Sequence, residues 1–205
     1  FMCREGLVPY LERELGLTEG EARMLLLDDE AFSQVSPERA LDLAERIDSV
    51  VERVRVLDPA VGSGAFLLGM LTELLRLRRL ALRAREARDP LPGELWDWKR
   101  HAIERSLFGV DRNPTAIELC RLRLWLSLLI EEEPGRVVPL PNLEYHTVPA
   151  DSLRDFVAGY EVQRTREGAL GFEFDLPDPL ELVRLREEFF ETSDANRKTE
   201  LREEL

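Results

Sequence analysis

Val54-Arg55-Val56-Leu57-Asp58-Pro59-Ala60-Val61-Gly62-Ser63-Gly64-Ala65-Phe66-Leu67 divides into a short β-branched run ending in an acid, a tight turn with two glycines one residue apart, and the start of a long apolar stretch. The order reads as strand, loop, helix. Gly62 and Gly64 lack Cβ, so the backbone there can turn sharply, take up positive φ and let a ligand approach its N–H groups closely. Those groups open a helix, and a helix N-terminus favours a carboxylate or a phosphate.

A dinucleotide-binding turn carries G-x-G-x-x-G, but the position where a third glycine belongs is Leu67, which argues against a nicotinamide-dependent oxidoreductase. Instead Asp58 precedes Gly62 in the spacing D-x-x-x-G-x-G, similar to the first motif of S-adenosylmethionine (AdoMet) dependent methyltransferases. The run from Asp58 and Pro59 through Ala60, Val61, Gly62, Ser63 and Gly64 to Ala65 and Phe66 resembles the D-P-x-x-G-S-G-x-F form of DNA amino-methyltransferases. An ordinary Gly-rich turn between strand and helix is the alternative.

With 205 residues, 44% hydrophobic and 34% charged, the chain has apolar material for one core and one to two domains. Nothing near residue 1 combines a basic region, an apolar core and a small-residue cleavage site, and charges interrupt the long apolar stretches, so a soluble, cytoplasmic protein with no membrane partner is expected. Cys3 and Cys120 lie far apart with no C-x-x-C neighbour, which points to idle thiols rather than zinc or a disulfide framework. A net charge of −13 argues against a complete nucleic-acid-binding surface, though not against DNA as a substrate held by another domain. The local exception is Arg76, Arg78, Arg79, Arg83, Arg85 and Arg88, which reads first as a solvated helix face and secondly as a DNA-contacting stripe.

Residues 1–52 read as a helical segment. A helix over residues 9–15 ends at Gly16, Thr18 and Glu21 have capping-box spacing, and Ser36-Pro37 supplies an N-cap and first helical position. After the glycine loop a helix runs from 65 to about 88, stopped by Asp89-Pro90-Leu91-Pro92-Gly93, and another covers 94–105. Residues 107–110 form a buried strand ending in Asp111, where a ribose-binding carboxylate belongs in a doubly wound sheet. The alternative for Asp111 is a cap on the following helix. Asn113-Pro114 starts that helix; residues 115–131 are apolar on nearly every side, which predicts deep packing with Trp125 and Leu126 in the core. A proline-rich turn at 134–141 leads to a third strand over 143–148. His146 stands on it without a catalytic partner and reads as structural. Beyond 153 the pattern gives strand-like pieces around Gly168 and Gly171 and charged helices over 179–191 and 194–205.

Two further stretches resemble the same methyltransferases: Gly109-Val110-Asp111-Arg112-Asn113-Pro114 their second motif, G-V-D-x-x-P, and Asp151-Ser152-Leu153 after a strand their third. Phe1-Met2-Cys3-Arg4-Glu5 resembles the segment that follows their upstream cofactor-contacting motif. The fourth, catalytic motif, [N/D/S]-P-P-[Y/F/W], is absent from residues 151–205. The resemblance is to the methyltransferase region of type IIG or type I-like restriction-modification enzymes that methylate adenine N6. It implies a Rossmann-like α/β fold, with residues 54–57 as central strand flanked by 107–110 and then 143–148, all parallel. Residues 53–160 would be the cofactor-binding half and 161–205 an insertion ahead of the missing motif. It further implies AdoMet as cofactor. The methionine carboxylate would face the Gly62–Gly64 N–H groups, the ribose Asp111 with Arg112 beside it, and the adenine Asp151 and Ser152. Asp58, Pro59, Ala60 and Phe66 would complete the pocket. DNA would be held mostly by regions outside this chain, with the rest of the polypeptide or a specificity domain as partner. Methylation of RNA or protein amides, or a non-catalytic nucleotide-binding module, are the alternatives.

Overall fold

The computed structural model describes residues 1–130, 143–144, 146–153, 156–157 and 160–161. The proline-rich turn, Tyr145 and the elements expected beyond 161 lie outside the described residues. The chain divides into two compact units, Phe1–Leu153 and Arg154–Leu205; of the second, an antiparallel pair β4 (Phe156–Val157) and β5 (Tyr160–Glu161) is described.

The first unit opens with α1 (Met2–Leu15), which closes at Gly16 and begins upstream of the expected helix, with Pro9 inside it. The capping box forms as the spacing predicts: Glu21 N–H donates to Thr18 Oγ1 and the Glu21 carboxylate accepts from Thr18 N–H, starting α2 (Glu19–Leu27). A short 3-10 turn, Ala31–Gln34, leads to α3 (Pro37–Arg53), capped by Ser36. Its stripe of Leu43, Ala44, Ile47, Val50 and Val51 is buried and packs along α4 (Ala65–Glu86). α5 (Pro92–Arg105) and α6 (Pro114–Leu129) follow.

Three parallel strands, β1 (Val56–Asp58), β2 (Leu107–Asp111) and β3 (Thr147–Pro149), form a sheet in the order β1-β2-β3. The parallel expectation holds, and so does the order of neighbours, with β2 beside β1 and β3 beyond it; within the described sheet β2 is the middle strand. Two boundaries also move. Val54 N–H donates to Val50 O as the last bond of α3, so the strand starts at Val56 and includes Asp58. Leu143 O accepts from both His146 and Thr147 N–H, so Leu143 is not part of the strand, and β3 starts at Thr147. Right-handed crossovers stepping in one direction put α4, α5 and α6 on one sheet face, the side of Leu107 and Thr147, both fully buried. The register gives Leu57, Phe108, Val110 and Val148 to the opposite face.

α6 departs from the deep packing expected. Ile117, Cys120, Leu124 and Leu128 are buried, but Leu119, Leu122, Leu126 and Ile130 lie along the other side and are exposed, and Trp125 is half-buried. Leu126 is thus not core: among the described residues α6 has packing partners on one side alone. His146 is buried and stacks on Phe108 with ring centroids 4.9 Å apart, the structural role expected of it. No described helix is long and apolar enough to cross a membrane.

Candidate functional site

The C-terminal ends of β1, β2 and β3 bring the three motif stretches together. After β1, Asp58 Oδ1 accepts from Ala60 N–H at 3.1 Å, an Asx-type turn that starts the loop. Val61 then docks on β2: its N–H donates to Val110 O at 2.9 Å and its side chain is buried against Gly109, where a Cβ would lie 2.8 Å from Val61 Cγ2. A glycine inside a strand marks such a close approach, and Gly109 carried that signal in the sequence. Gly62 (φ 52°) and Gly64 (φ 84°) both take the left-handed conformation that their type permits. Behind Gly64 stands α6, with Cys120 Sγ 2.6 Å from where a Cβ would sit; above Gly62 there is open space. Burial, and next the nearby Asp58 carboxylate, push the Cys120 thiol up to about 11, so it is an inert packing group.

Asp111, at the end of β2, serves two turns at once. Its Oδ1 accepts from Asn113 N–H at 2.8 Å, and its Oδ2 accepts from Gly62 N–H at 2.8 Å. The Asn113 bond first, and the Gly62 bond next, hold the carboxyl below the usual carboxylate range. Asn113 in turn accepts from Thr115 N–H at 3.0 Å, so it caps α6 while Asp111 pins the glycine loop. The glycine N–H groups themselves are committed, since Gly64 N–H donates to Val61 O at 2.9 Å. The first intrahelical bond of α4 is Leu68 N–H to Gly64 O, which leaves Ala65, Phe66 and Leu67 N–H as the groups a helix start offers. The anion-facing donors therefore lie slightly downstream of the two glycines.

After β3, Ala150 N–H donates to Asp111 O at 3.0 Å, Asp151 Oδ1 accepts from Leu153 N–H, and Ser152 Oγ donates to Pro59 O at 2.7 Å. Arg112 reaches Asp151 Oδ2 at 3.4 Å. Pro59, Gly62, Asp111, Arg112, Asp151 and Ser152 are thereby linked across strand ends by direct bonds, while Asp58, Ala60 and Gly64 bond within the first loop. Phe66 is half-buried against the core, and its carbonyl faces Cys3 Sγ at 3.6 Å, which seats the first turn of α1 on the first turn of α4. Arg123, in sequence a break in an apolar helix, reaches from α6 to Ser63 Oγ at 2.9 Å and Ser63 O at 3.3 Å. Only its spacing from Cys120, one turn away, could have hinted at that.

The arginine row along α4 is not simply a solvated helix face, because most of it is engaged in ion pairs. Arg78 and Arg85 converge on Asp48 of α3, Arg76 pairs with Asp29, Arg83 with Asp89, and Arg88 with Glu86 and Glu94. Arg78 also lies 4.8 Å over the Trp98 ring. The row mainly ties α4 to α3 and to the turns beside it. A cavity of about 430 Å³ lined by Asp29, Thr72, Arg76, Arg79, Arg83 and Lys99 lies along α4 beyond its first turns, separate from the strand-end site. No group of side chains suited to a metal ion occurs among the described residues.

No family model and no solved structure matches the chain. Over 108 residues, half of this chain, it is 39% identical to a protein of Methanocaldococcus jannaschii, by its name a candidate type II restriction enzyme and methyltransferase. The matched stretch spans 9% of that relative's length.

Proposed function

We propose that the chain is the cofactor-binding part of a DNA methyltransferase that moves a methyl group from AdoMet to adenine N6 within a restriction-modification system. The observation that carries this reading is the bonded convergence of three motif stretches at adjacent strand ends, through Gly62 to Asp111 and Ser152 to Pro59. That edge is where ligands bind in open α/β sheets. The name of the archaeal relative supports methyltransferase chemistry in restriction-modification; AdoMet, adenine and DNA rest on the motif resemblance.

The residues fit the cofactor. The space above Gly62 is open, the free N–H groups at the start of α4 suit a carboxylate, and Asp111 and Asp151 stand as acceptors on successive strand ends. When bound, AdoMet supplies a methyl group on an electrophilic sulfonium. This chain's own residues would bind and orient it: Ala65 to Leu67 would hold the methionine carboxylate, Asp111 would accept from the ribose hydroxyls, and Asp151 and Ser152 would lie on the adenine side. Positioning of the target amine belongs to the N-P-P-Y-type motif, which the sequence lacks.

Equilibrium binding tests the reading. Gly62→Val places a branched side chain on a left-handed backbone and into the open space, and should weaken AdoMet binding by about 1–3 kcal/mol. Wild-type affinity in that variant, measured by calorimetry, would remove the site. Labelled-methyl transfer to adenine-containing DNA, RNA and protein by the chain together with its downstream polypeptide then decides among substrates.

A further inference from the structure

We propose that Arg123 is a positioning residue for the anionic end of the cofactor, acting through Ser63; this rests on the AdoMet reading above. Its guanidinium donates to both the hydroxyl and the carbonyl of Ser63, at 2.9 and 3.3 Å. Ser63 lies between the two left-handed glycines, so this contact fixes the one residue of the turn that is neither pinned by Asp111 nor folded back on Val61. Both bonds leave one guanidinium nitrogen, Nη1, so a single charged donor ties the hydroxyl and the carbonyl of Ser63 to α6. The same contact holds a positive charge beside the start of α4, where the free N–H groups of Ala65 to Leu67 already favour an anion. In the proposed pose, loop shape and local field both act first at the carboxylate end of the ligand, with Asp111 touching the same loop one residue earlier, at Gly62.

The geometry makes a selective effect the signature. In AdoMet the amino-carboxylate would meet this part of the loop; 5′-methylthioadenosine has the same nucleoside and sulfur but no carboxylate. Arg123 is exposed, so Arg123→Met leaves the core intact. Binding of both ligands to the whole chain is compared by calorimetry for wild type, Arg123→Met, Arg123→Lys, Ser63→Ala and the Arg123→Met/Ser63→Ala pair. Arg123→Met should lose about tenfold or more in AdoMet affinity, the size of one charge-assisted hydrogen bond, with 5′-methylthioadenosine unchanged. Arg123→Lys should recover part of the loss, and the double variant should lose no more than Arg123→Met alone. Equal loss for both ligands would mean general loop support and overturns the inference, as does AdoMet affinity unchanged in Arg123→Met. A wild-type chain that binds neither ligand removes the cofactor reading and this inference with it, whereas one that binds both while Arg123→Met stays neutral removes this inference alone.

Discussion

Gly64 is where two demands meet in one residue. Its φ of 84° disfavours any side chain, and the space a Cβ would need is held by Cys120 Sγ at 2.6 Å. Gly64→Ala should therefore destabilise the protein by about 2–4 kcal/mol, from the left-handed backbone and the overlap together. Cys120→Ala in the same chain should return the overlap part, giving a coupling of about 1–2 kcal/mol in a denaturation cycle; additive losses would mean that the two residues do not meet. Asp111 makes a different prediction. Because its folded pKa is depressed, its bonds to Asn113 and Gly62 contribute stability that is present above the unfolded value of about 4 and is lost as pH falls through the lower folded value. The Gly62 amide resonance should shift with acid below about pH 4 and stop doing so in Asp111→Asn. A flat titration in the wild type counts against the bond. At this scale the sequence was informative where chemistry forces residue type: the glycines, the acids at strand ends, and Gly109. It read Cys120 as an idle thiol but placed neither it nor Arg123 against the loop, because nothing in a linear pattern says which turn of α6 faces the loop.

Among the elements, caps were readable and strand limits were not. Thr18 with Glu21, Ser36-Pro37 and Asn113-Pro114 each start a helix by local bonds that need no tertiary partner. The strands are short and take their limits from neighbours: α3 claims Val54, and Leu143 O takes the His146 and Thr147 N–H groups where the third strand starts. The end of α4 shows a local rule being broken. The proline-rich run was expected to stop it, yet the helix ends at Glu86 because Ala87 turns left-handed, with φ 52° and its N–H on Arg83 O. An alanine there is strained by roughly 1–2 kcal/mol, against which glycine brings extra unfolded-chain entropy. Ala87→Gly should raise stability by up to about 1 kcal/mol, seen as a higher melting temperature. The turn beyond it is already secured, since Glu94 accepts from Arg88 and from Leu91 N–H, bonds that hold its carboxyl at about 2. A fall in melting temperature on Ala87→Gly would mean that this alanine makes a contact glycine cannot replace.

For the whole molecule, the parallel sheet and its helices lie as the strand–helix alternation implied, but their outer surfaces are less covered than the sequence suggested. A segment apolar all round says that it will be packed; it does not say by what. α6 leaves Leu119, Leu122, Leu126 and Ile130 in line on one side, and Leu57 is 62% exposed on the sheet face opposite the helices. Parallel sheets are normally covered on both faces, and contiguous apolar patches of this kind draw partners. The 205-residue chain should therefore self-associate. Its net charge of −13 opposes association at low ionic strength, so the association should grow with added salt as the repulsion is screened. Leu122 and Leu126 are half out of the fold, so Leu122→Gln/Leu126→Gln removes apolar area from the stripe at little cost to the core or to helix propensity. Sedimentation velocity at low and high salt should show the double variant less associated at every concentration, with its melting temperature within a few degrees of wild type. Equal association in both proteins would place the sticking surface elsewhere, with Leu57→Gln on the sheet face as the next substitution to separate the two. A variant that stays dispersed but unfolds early would mean instead that the stripe is covered within the chain.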